Sequence, residues 1–530
     1  MPKIEIDGRE IEVEDGATIL DACRKLGIEV PTMCFLDGYD PYTSCMICVV
    51  RDVKTGKLVA SCTARVADGM VMDTVGPEVK AARKAALELL LGDHLGDCEG
   101  PCQRTCPASM NIPLMIRQIA AGDFADALVT VKEHIPLPAA LGRICPAPCE
   151  KACRREQVDS AVSICNLKRY VADRDLALVN PYAPGCAPDT GKKVAIVGAG
   201  PAGLSAAYYL RQYGHGCTIF DDQEKPGGAL RSKVPEEELP RDVLDSEIDT
   251  ILALGMDLRM STRVGRDITP DQLKNEYDAV VLAVGPIPKP GEAEYGVETA
   301  KRGIKINAAS GGTSDARVFA AGAAVSGGRM AVKAVGDGNR VAFSINQLLA
   351  GKPVTGPAKR FNSMLGKIKA EEAPEFMKDV EPDMRAALEI GAPEGFSEED
   401  AKKESTRCLH CDCRKPESCK LRRYADEYGA KQGRYKGPER LDFENIRQHA
   451  DVIYEPGKCI SCGICVHITK KECEPLGLSF IGRGFSARVG VPFSDSLADA
   501  LTKTAKLCVE SCPTGALSFT SGKEETWKCI

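Results

Sequence analysis

Apolar and polar residues alternate at the start of the chain in the pattern of a short β-hairpin. The two alternating stretches, 3–6 and 10–13, flank the dipeptide Asp7-Gly8, which is typical of a tight turn. Thr18 follows and is expected to cap a short amphipathic helix. These features predict a small β-rich domain over residues 1–78.

Further along, the spacing of apolar residues changes to that of helices and then to that of a buried strand. The helical period is clearest over 81–91, whereas Val194–Val197 is a continuous apolar run that leads into a glycine-rich turn. After Gly351 the chain becomes polar and charged, which predicts a partly helical connector. The pattern therefore predicts a multidomain chain of α+β and α/β parts, with domains at 1–78, 79–190, 191–351, 352–452 and 453–530.

Composition and charge narrow the class of protein. The 530 residues carry a formal net charge of −6, and this acidic balance argues against a nucleic-acid surface. No apolar run approaches the roughly 20 residues of a membrane span, and the polar N-terminus is unlike a secretory signal. Cysteine is the exceptional residue, because there are 25 and all but four fall in tight groups. Such groups without an export signal indicate metal sites rather than disulfides, so we expect a protein of the reducing cytoplasm.

The first cysteine group has the spacing Cys34-x10-Cys45-x2-Cys48-x13-Cys62. Four thiolates from a loop and an adjoining strand can hold a 2Fe-2S cluster, whereas a zinc site, the alternative, usually pairs two Cys-x2-Cys knuckles. Residues 1–105 also resemble the start of the large iron–sulfur subunit of complex I and of related hydrogenases. That resemblance implies a β-grasp 2Fe-2S ferredoxin domain at the N-terminus.

The second and third groups share one helical segment. It contains His94-x3-Cys98-x3-Cys102-x3-Cys106 and, further on, Cys145, Cys149, Cys153 and Cys165. The segment resembles the double-cluster domain of the glutamate synthase small subunit and of dihydropyrimidine dehydrogenase. That resemblance implies two 4Fe-4S clusters with interleaved ligands, one on Cys98, Cys102 and Cys153 and the other on Cys106, Cys145, Cys149 and Cys165. His94 is the candidate fourth ligand of the first cluster, because imidazole can replace a thiolate on iron, and the alternative is a packed or surface histidine.

A fourth group lies in the predicted connector. Cys408, Cys411, Cys413 and Cys419 fall within a dozen residues, which predicts a bound metal. A 4Fe-4S cluster is favoured over zinc because the neighbouring groups are predicted to hold clusters.

The last group resembles a bacterial two-cluster ferredoxin. Cys459, Cys462 and Cys465 form a Cys-x2-Cys-x2-Cys run, and Cys512-Pro513 lies downstream, where that family finds the fourth ligand. Cysteines of the second cluster would fall at Thr469, Thr502 and Ala505. The sequence therefore predicts one 4Fe-4S cluster here, with Cys473 as a less favoured ligand and Cys508 without an assigned role.

A dinucleotide-binding pattern lies between these groups. Gly198, Gly200 and Gly203 form a GxGxxG turn between a strand and a helix, and Asp221 ends the next strand, where an acid can reach a ribose hydroxyl. Together with Gly228, these residues resemble the FAD domain of the glutamate synthase small subunit.

The resemblance to that FAD domain is incomplete in two respects. In the family an NAD(P)H domain follows the segment matched by Gly285, but Val318 comes only 33 residues later, too few for a further domain of roughly 100 residues. Ala323 also stands where the family has the acid that holds the flavin ribityl chain. We therefore expect that this chain does not bind NAD(P)H, and that the truncated fold either binds FAD or serves as a scaffold.

These features together predict an iron–sulfur electron-transfer subunit of a multi-subunit oxidoreductase, with no catalytic residues of its own. The resemblances imply an NADH-linked, FMN-bearing flavoprotein partner, a hydrogenase- or formate dehydrogenase-type partner, and ferredoxin as a further partner. One alternative is a self-contained FAD-dependent iron–sulfur oxidoreductase of the glutamate synthase small subunit type. Another is a zinc-holding scaffold without a redox role.

The sequence predicts one 2Fe-2S cluster and four 4Fe-4S clusters, which amounts to about 18 iron atoms per chain. Iron and acid-labile sulfide assays on anaerobically purified protein measure this directly. Zinc at two or more per chain, together with iron near two, would contradict the prediction.

Overall fold

The structure is a computed structural model. It describes residues 1–287, 295–328, 330–378, 380, 382, 385, 394–435, 437 and 440–520, and of residue 485 it describes the backbone alone. The chain divides into two compact units. Unit 1 comprises residues 1–99, 360–379 and 411–530, and unit 2 comprises residues 100–359 and 380–410.

The strands of the described residues are short and are numbered in chain order. They are β1 (Lys3–Ile6), β2 (Arg9–Glu12), β3 (Val49–Asp52), β4 (Leu58–Ala60), β5 (Met70–Asp73), β6 (Lys193–Val197), β7 (Gly216–Phe220), β8 (Asp257–Arg259), β9 (Ala279–Leu282), β10 (Thr299–Ala300), β11 (Gly303–Ile304), β12 (Val318–Ala320), β13 (Val452–Tyr454), β14 (Ser479–Ile481), β15 (Arg488–Gly490) and β16 (Leu517–Phe519).

The α-helices range from single turns to five turns. They are α1 (Ile19–Lys25), α2 (Pro77–Gly92), α3 (Pro101–Thr105), α4 (Ile112–Ala121), α5 (Phe124–Lys132), α6 (Pro138–Ile144), α7 (Pro148–Lys151), α8 (Ile164–Leu176), α9 (Pro201–Gln212), α10 (Ala229–Ser232), α11 (Arg241–Leu252), α12 (Pro270–Glu276), α13 (Ala323–Ser326), α14 (Ala331–Leu349), α15 (Ala373–Phe376), α16 (Glu398–Thr406), α17 (Lys420–Glu427), α18 (Ile464–Lys471), α19 (Leu497–Ala500) and α20 (Ala505–Ser511). None of them combines the length and the apolar content that a bilayer crossing requires.

The N-terminal part of unit 1 is a five-stranded sheet in the order β2-β1-β5-β3-β4. β1 pairs antiparallel with β2, as the predicted hairpin requires, and parallel with β5. Thr18 caps α1 with the predicted polarity: its side chain accepts from the Asp21 backbone amide, and the Asp21 carboxylate accepts from the Thr18 backbone amide. Ile4, Ile6 and Leu20 are buried in the core that this helix and the sheet enclose.

The C-terminal part of unit 1 is built on the antiparallel pair β13 and β16. These strands are neighbours in space, although 62 residues of chain lie between Tyr454 and Leu517. α18 and α20 lie between these strands in sequence and pack against each other. A second hairpin, β14 and β15, is joined to this core by Tyr454, whose hydroxyl donates to the Val489 carbonyl at 2.6 Å.

Unit 2 joins a helical part to a parallel sheet. α4, α5, α6, α8 and α16 pack around one apolar core that includes Ile116, Leu141 and Leu167. The sheet has the order β12-β9-β6-β7-β8, and every strand pair in it is parallel. β6 and α9 form the predicted strand–turn–helix unit, with α9 beginning at Pro201, inside the glycine-rich turn.

The long helix α14 crosses α9 at very close range because Gly338 has no side chain. A Cβ atom at Gly338 would overlap the Ala202 carbonyl oxygen and come within 2.9 Å of the Ser205 Cβ. Ser205 fixes the same crossing, since its hydroxyl donates to the Val335 carbonyl at 2.8 Å.

We expect Gly338→Ala to lower the thermal stability of unit 2, because overpacking costs about 1–3 kcal/mol and outweighs the gain in helix propensity. Gly216→Ala is a matched control, since its Cβ would meet the Lys192 carbonyl oxygen at 3.5 Å and the Lys193 Cγ at 3.8 Å, both ordinary contacts. Thermal unfolding followed by circular dichroism, with limited proteolysis to identify the unit, makes the comparison. Equal melting temperatures for the two variants would contradict it.

Candidate iron–sulfur ligand sites

The four cysteines of the first predicted group lie together and are buried in unit 1. Cys48 precedes β3 and Cys62 follows β4, so the strand pair brings them near each other. The Cys45 thiol donates a hydrogen bond that lowers the pKa of Cys34 to about 5, and the Cys62 thiol likewise lowers the pKa of Cys48 to about 7. The negative charge of Cys34 also acts to raise the pKa of Cys48 and of Cys62. Four thiols whose negative charges act on one another in this way fit the cationic core of an iron–sulfur cluster.

The C-terminal ligand set surrounds one small cavity. Cys459 and Cys462 lie on a loop, Cys465 lies in the first turn of α18, and Cys512 directly follows α20. These four residues line about 300 Å³ of empty space together with Val489 of the second hairpin. Burial raises the pKa of Cys459 to about 11. The cavity and its donor set fit a cluster on these four thiols.

A hydrogen-bonded carboxylate stands where a second ferredoxin cluster would lie. Glu474 accepts from the Thr502 hydroxyl at 2.6 Å and from the backbone amides of Lys503 and Thr504 at 2.8 Å each. Burial alone would raise the pKa of Glu474, but these bonds lower it to about 2. Thr469, at another of the replaced positions, accepts from the Leu478 amide at 3.1 Å. Hydrogen bonds thus replace sulfur ligands in this region.

Cys98 lies with Cys413 and Cys419 in unit 1, which differs from the predicted grouping with Cys102 and Cys153 of unit 2. The Cys413 amide donates to the Cys98 carbonyl at 3.3 Å. Burial, followed by the charges of Cys413 and Cys98, raises the pKa of Cys419 to about 12.

The physical reason for this grouping is a contact with residue 363 of the predicted connector. The Ser363 hydroxyl lies 3.3 Å from the Cys98 Sγ and donates to the Gly96 carbonyl at 2.8 Å. The Cys98 amide in turn donates to the Ser363 carbonyl at 3.4 Å. This contact joins positions 265 residues apart, and a local sequence pattern contains no signal for it.

His94 presents a buried nitrogen atom to the interior of unit 1. Its Nδ1 has no hydrogen-bond partner among the described residues. Burial, together with the nearby positive charge of Lys458, lowers the pKa of His94 to about 4, which keeps the imidazole neutral near pH 7. A neutral, unpartnered ring nitrogen is what a metal-ligating histidine requires, so His94 fits an iron ligand.

In unit 2, Cys106, Cys145, Cys149 and Cys165 are buried in one core. Burial lowers the pKa of the neighbouring Lys168, but the charges of these four thiols raise it above the usual value. Lys168 is 3% exposed and donates to the Leu141 carbonyl at 3.2 Å. A buried cation beside four thiols fits an anionic cluster site, and the sequence reasoning missed this lysine.

Cys102, Cys153 and Cys408 pack at the edge of the same core. Two fully buried arginines fix the chain beside two of them. Arg155 donates to the Arg407 carbonyl at 2.7 Å, and Arg407 donates to the Glu404 carboxylate at 2.9 Å. Cys411, three residues beyond Cys408, begins a segment of unit 1.

The glycine-rich turn of unit 2 has the backbone geometry of a dinucleotide cradle. Gly198 has φ +111°, and a Cβ at Gly203 would overlap the Gly198 carbonyl oxygen. Gly228 has φ +51°, and its Cβ would be 2.7 Å from the Gly200 Cα. Asp221 accepts from the Ala199 amide at 2.6 Å and thereby ties the second strand to the turn.

Among the described residues, no three His, Cys, Asp or Glu side chains converge tightly enough to hold a single metal ion. Cys473 is exposed, and Cys508 is buried with its Sγ 4.0 Å from the Cys465 carbonyl oxygen. Cys529 lies outside the described residues.

Three family models match separate parts of the chain. Residues 2–77 match a 2Fe-2S iron–sulfur cluster binding domain, residues 95–178 match dihydropyrimidine dehydrogenase domain II with its 4Fe-4S cluster, and residues 196–257 match an NAD(P)-binding Rossmann-like domain. These matches confirm the predicted kinds of iron–sulfur domain in the first two segments and the predicted dinucleotide fold in the third.

Curated proteins are similar to about a third of the chain. The NADP(+)-dependent formate dehydrogenase subunit beta of Moorella thermoacetica is 42% identical over 201 residues, covering 34% of this chain and 28% of its own length. The NADPH-Fe(3+) oxidoreductase subunit beta of Geobacter sulfurreducens is 42% identical over 184 residues, covering 34% and 27%. The glutamate synthase [NADPH] small chain of Bacillus subtilis is 38% identical over 182 residues, covering 34% and 36%.

The chain thus spans less than half the length of these relatives. The predicted resemblance to the glutamate synthase small subunit is confirmed within that span. The chain is a mixed α/β iron–sulfur protein with 2Fe-2S, 4Fe-4S and Rossmann-like domains, and it is related to subunits of oxidoreductases.

Proposed function

We propose that this chain is an electron-transfer subunit that relays electrons through protein-bound iron–sulfur clusters in a multi-subunit oxidoreductase. The observation that carries the proposal is the arrangement of two complete four-cysteine sets in unit 1. The first set is Cys34, Cys45, Cys48 and Cys62, the second is Cys459, Cys462, Cys465 and Cys512, and members of both border one apolar core. Two cluster sites on a common core suit transfer of electrons from one to the other.

The remaining predicted ligands are assigned to three further sets on the basis of their contacts. His94, Cys98, Cys413 and Cys419 form one set, and Cys106, Cys145, Cys149 and Cys165 form another. Cys102, Cys153 and Cys408 belong to the last set, and Cys411 stays a predicted ligand on its spacing from Cys408. The number of clusters, five, is unchanged from the sequence prediction, but the partners of Cys98 differ.

The proposed partners follow from the relatives and from the resemblances of the sequence. One relative is by name a subunit of a formate dehydrogenase, which supports a formate dehydrogenase-type partner, and a hydrogenase-type partner is the other form of the proposal. An NADH-linked flavoprotein would supply electrons, with ferredoxin as a further acceptor or donor. The reducing cytoplasm is the proposed location, because tightly grouped cysteines indicate metal sites rather than disulfides.

A flavin-dependent enzyme is the second candidate, and the close approach of Gly200 and Gly228 at the glycine-rich turn is the observation in its favour. Against it, Ala323 begins α13 where the related FAD domain has an acid, so this position supplies no carboxylate to a ribityl chain. The residues fit a dinucleotide at the pyrophosphate end and fail to fit a flavin at the ribityl end. Acid release of the protein's chromophores, followed by chromatography, would detect any bound FAD.

The ligand sets predict which substitutions damage the same cluster. We expect Cys98→Ser, Cys419→Ser and His94→Ala each to alter one and the same 4Fe-4S signal in the EPR spectrum of the reduced protein, because these residues form one set. Cys102→Ser should alter a different signal. Cys217→Ser is the control, since Cys217 is buried in β7 away from every proposed set. If Cys98→Ser and Cys102→Ser removed the same signal while Cys419→Ser removed another, the result would contradict this assignment and support the predicted grouping of Cys98 with Cys102.

We also expect that the isolated chain does not oxidise NADH or NADPH and accepts electrons only when its flavoprotein partner is added. Clusters take electrons singly and cannot receive a hydride, so a nicotinamide site beside a flavin is needed, and the sequence lacks room for that domain between Gly285 and Val318. A viologen-coupled assay with either nucleotide, with and without the partner, measures this. Sustained NAD(P)H turnover by the chain alone would refute the expectation.

A further inference from the structure

We propose that the C-terminal ligand set, Cys459, Cys462, Cys465 and Cys512, occupies the middle position among the three ligand sets of unit 1. The 2Fe-2S set lies on its Cys462 side, and the set of His94, Cys98, Cys413 and Cys419 lies on its Cys512 side. The inference deepens the proposed function and rests on it, because it gives the order in which unit 1 would pass electrons.

The Cys462 side is joined to the 2Fe-2S loop by an aromatic contact. The Tyr42 ring lies directly on Gly463, the residue after Cys462, so that a Cβ at Gly463 would overlap the ring. The same ring packs on His467 of α18, with 4.3 Å between ring centroids. Tyr42 is three residues before Cys45, so this contact brings a 2Fe-2S ligand loop against a C-terminal ligand loop.

Two further contacts fix the same junction. Lys471, in the last turn of α18, donates to the Gly38 carbonyl at 2.9 Å, and its ammonium lies 4.4 Å from the centroid of the Tyr39 ring. Beneath these surface contacts, Cys34, Cys45 and Cys462 belong to one buried core. The negative charge of Cys34 is felt at Cys462, where it adds to the effect of burial in raising the pKa of that thiol.

The Cys512 side is held by residues that flank Cys413 and Cys419. Lys415 donates to the carbonyls of Val509 and Cys512, at 2.6 and 3.1 Å, and is buried. The Lys420 amide donates to the Pro513 carbonyl at 2.9 Å. These hydrogen bonds hold the segment that contains Cys413 and Cys419 against the segment that contains Cys512.

Sulfur itself comes close at this second junction. A Cβ at Gly515 would overlap the Sγ of Cys413, so the glycine gives that thiol its place beside the Cys512 segment. On the opposite flank the Leu95 amide, next to His94, donates to the Gly457 carbonyl at 2.7 Å, two residues before Cys459. The set of His94, Cys98, Cys413 and Cys419 therefore contacts the C-terminal set through both of its chain segments, the one at His94 and the one at Cys413.

Cys419 and Cys34 are buried in the same core. The competing arrangement therefore has the 2Fe-2S set in direct contact with the set of His94, Cys98, Cys413 and Cys419. The contacts described above nevertheless run through the residue directly after Cys462 and through Cys512 itself, on the two sides of the C-terminal set. Electron tunnelling weakens steeply with distance, so the set with close neighbours on both sides is the intermediate one. One electron passed along this order would change the net charge of each cluster by one unit in turn, with no proton moved and no bond broken.

Spin relaxation of the 2Fe-2S signal tests this order in the full-length, cluster-loaded chain. A paramagnetic neighbour speeds the relaxation of a reduced 2Fe-2S centre, and the effect falls off steeply with distance. After reduction with excess dithionite, we expect Cys512→Ser to remove most of this enhancement, seen as a lower half-saturation microwave power. We expect Cys419→Ser to leave it near the wild-type value. Cys217→Ser controls for the loss of a buried cysteine outside the sets.

The reverse result, with enhancement lost in Cys419→Ser and kept in Cys512→Ser, would overturn the order, and so would equal values in all variants. Cys465→Ser repeats the test on the same set if Cys512→Ser lowers the 2Fe-2S spin count. The wild-type chain allows an independent measurement. In a redox titration, the faster relaxation of the 2Fe-2S signal should appear together with the EPR signal that is missing from Cys512→Ser and from Cys465→Ser. These readouts need no partner, so a failure of partner-dependent electron transfer would refute the proposed function and leave the order standing.

Discussion

The structure depends on one electrostatic constraint, which is the cost of burying several sulfur ligands next to one another. Thiolates repel each other and lose hydration when buried, so a ligand set is stable only when bound metal, hydrogen bonds or cations offset its charge. The two hydrogen-bonded pairs of the first set, Cys34 with Cys45 and Cys48 with Cys62, show this constraint directly. Each pair lowers the pKa of one thiol and raises that of the other.

The other sets meet the same constraint with buried cations placed at fixed points of the fold. Lys168 lies among the thiols of one set in unit 2. Lys458 lies between His94 and Cys413 in unit 1, where it pairs with Glu455 at 2.6 Å. Burial keeps the His94 ring neutral and Lys458 adds to that effect, so the same cation acts on a thiol and on the proposed nitrogen ligand. Buried lysines beside cysteines are therefore part of how these sites are built.

Sequence reasoning succeeded where the signal is local. The turn at Asp7-Gly8 and the cap at Thr18 depend on residues a few positions apart, and both agree with the structure. It had no signal for the surroundings of Cys98, because they depend on Ser363 far along the chain. It also missed Lys168 and Lys458, because a lysine in a sequence gives no sign of whether it is buried. Spacing identifies ligands, whereas tertiary contacts decide which ligands share a cluster.

The carboxylate of Glu474 has an effect on the remaining C-terminal site that goes beyond filling space. The bonds from Thr502 and the two following amides keep Glu474 ionised at physiological pH, and its charge adds to burial in raising the pKa of Cys508, whose Sγ lies 4.0 Å from the Cys465 carbonyl oxygen. A permanent negative charge near a cluster disfavours the arrival of an electron, because net charge is one of the factors that set a cluster's reduction potential. The Glu474 carboxylate would thus hold a cluster at the proposed C-terminal site at a lower potential than a neutral side chain in its place would, making that cluster a stronger reductant for whatever lies next to it.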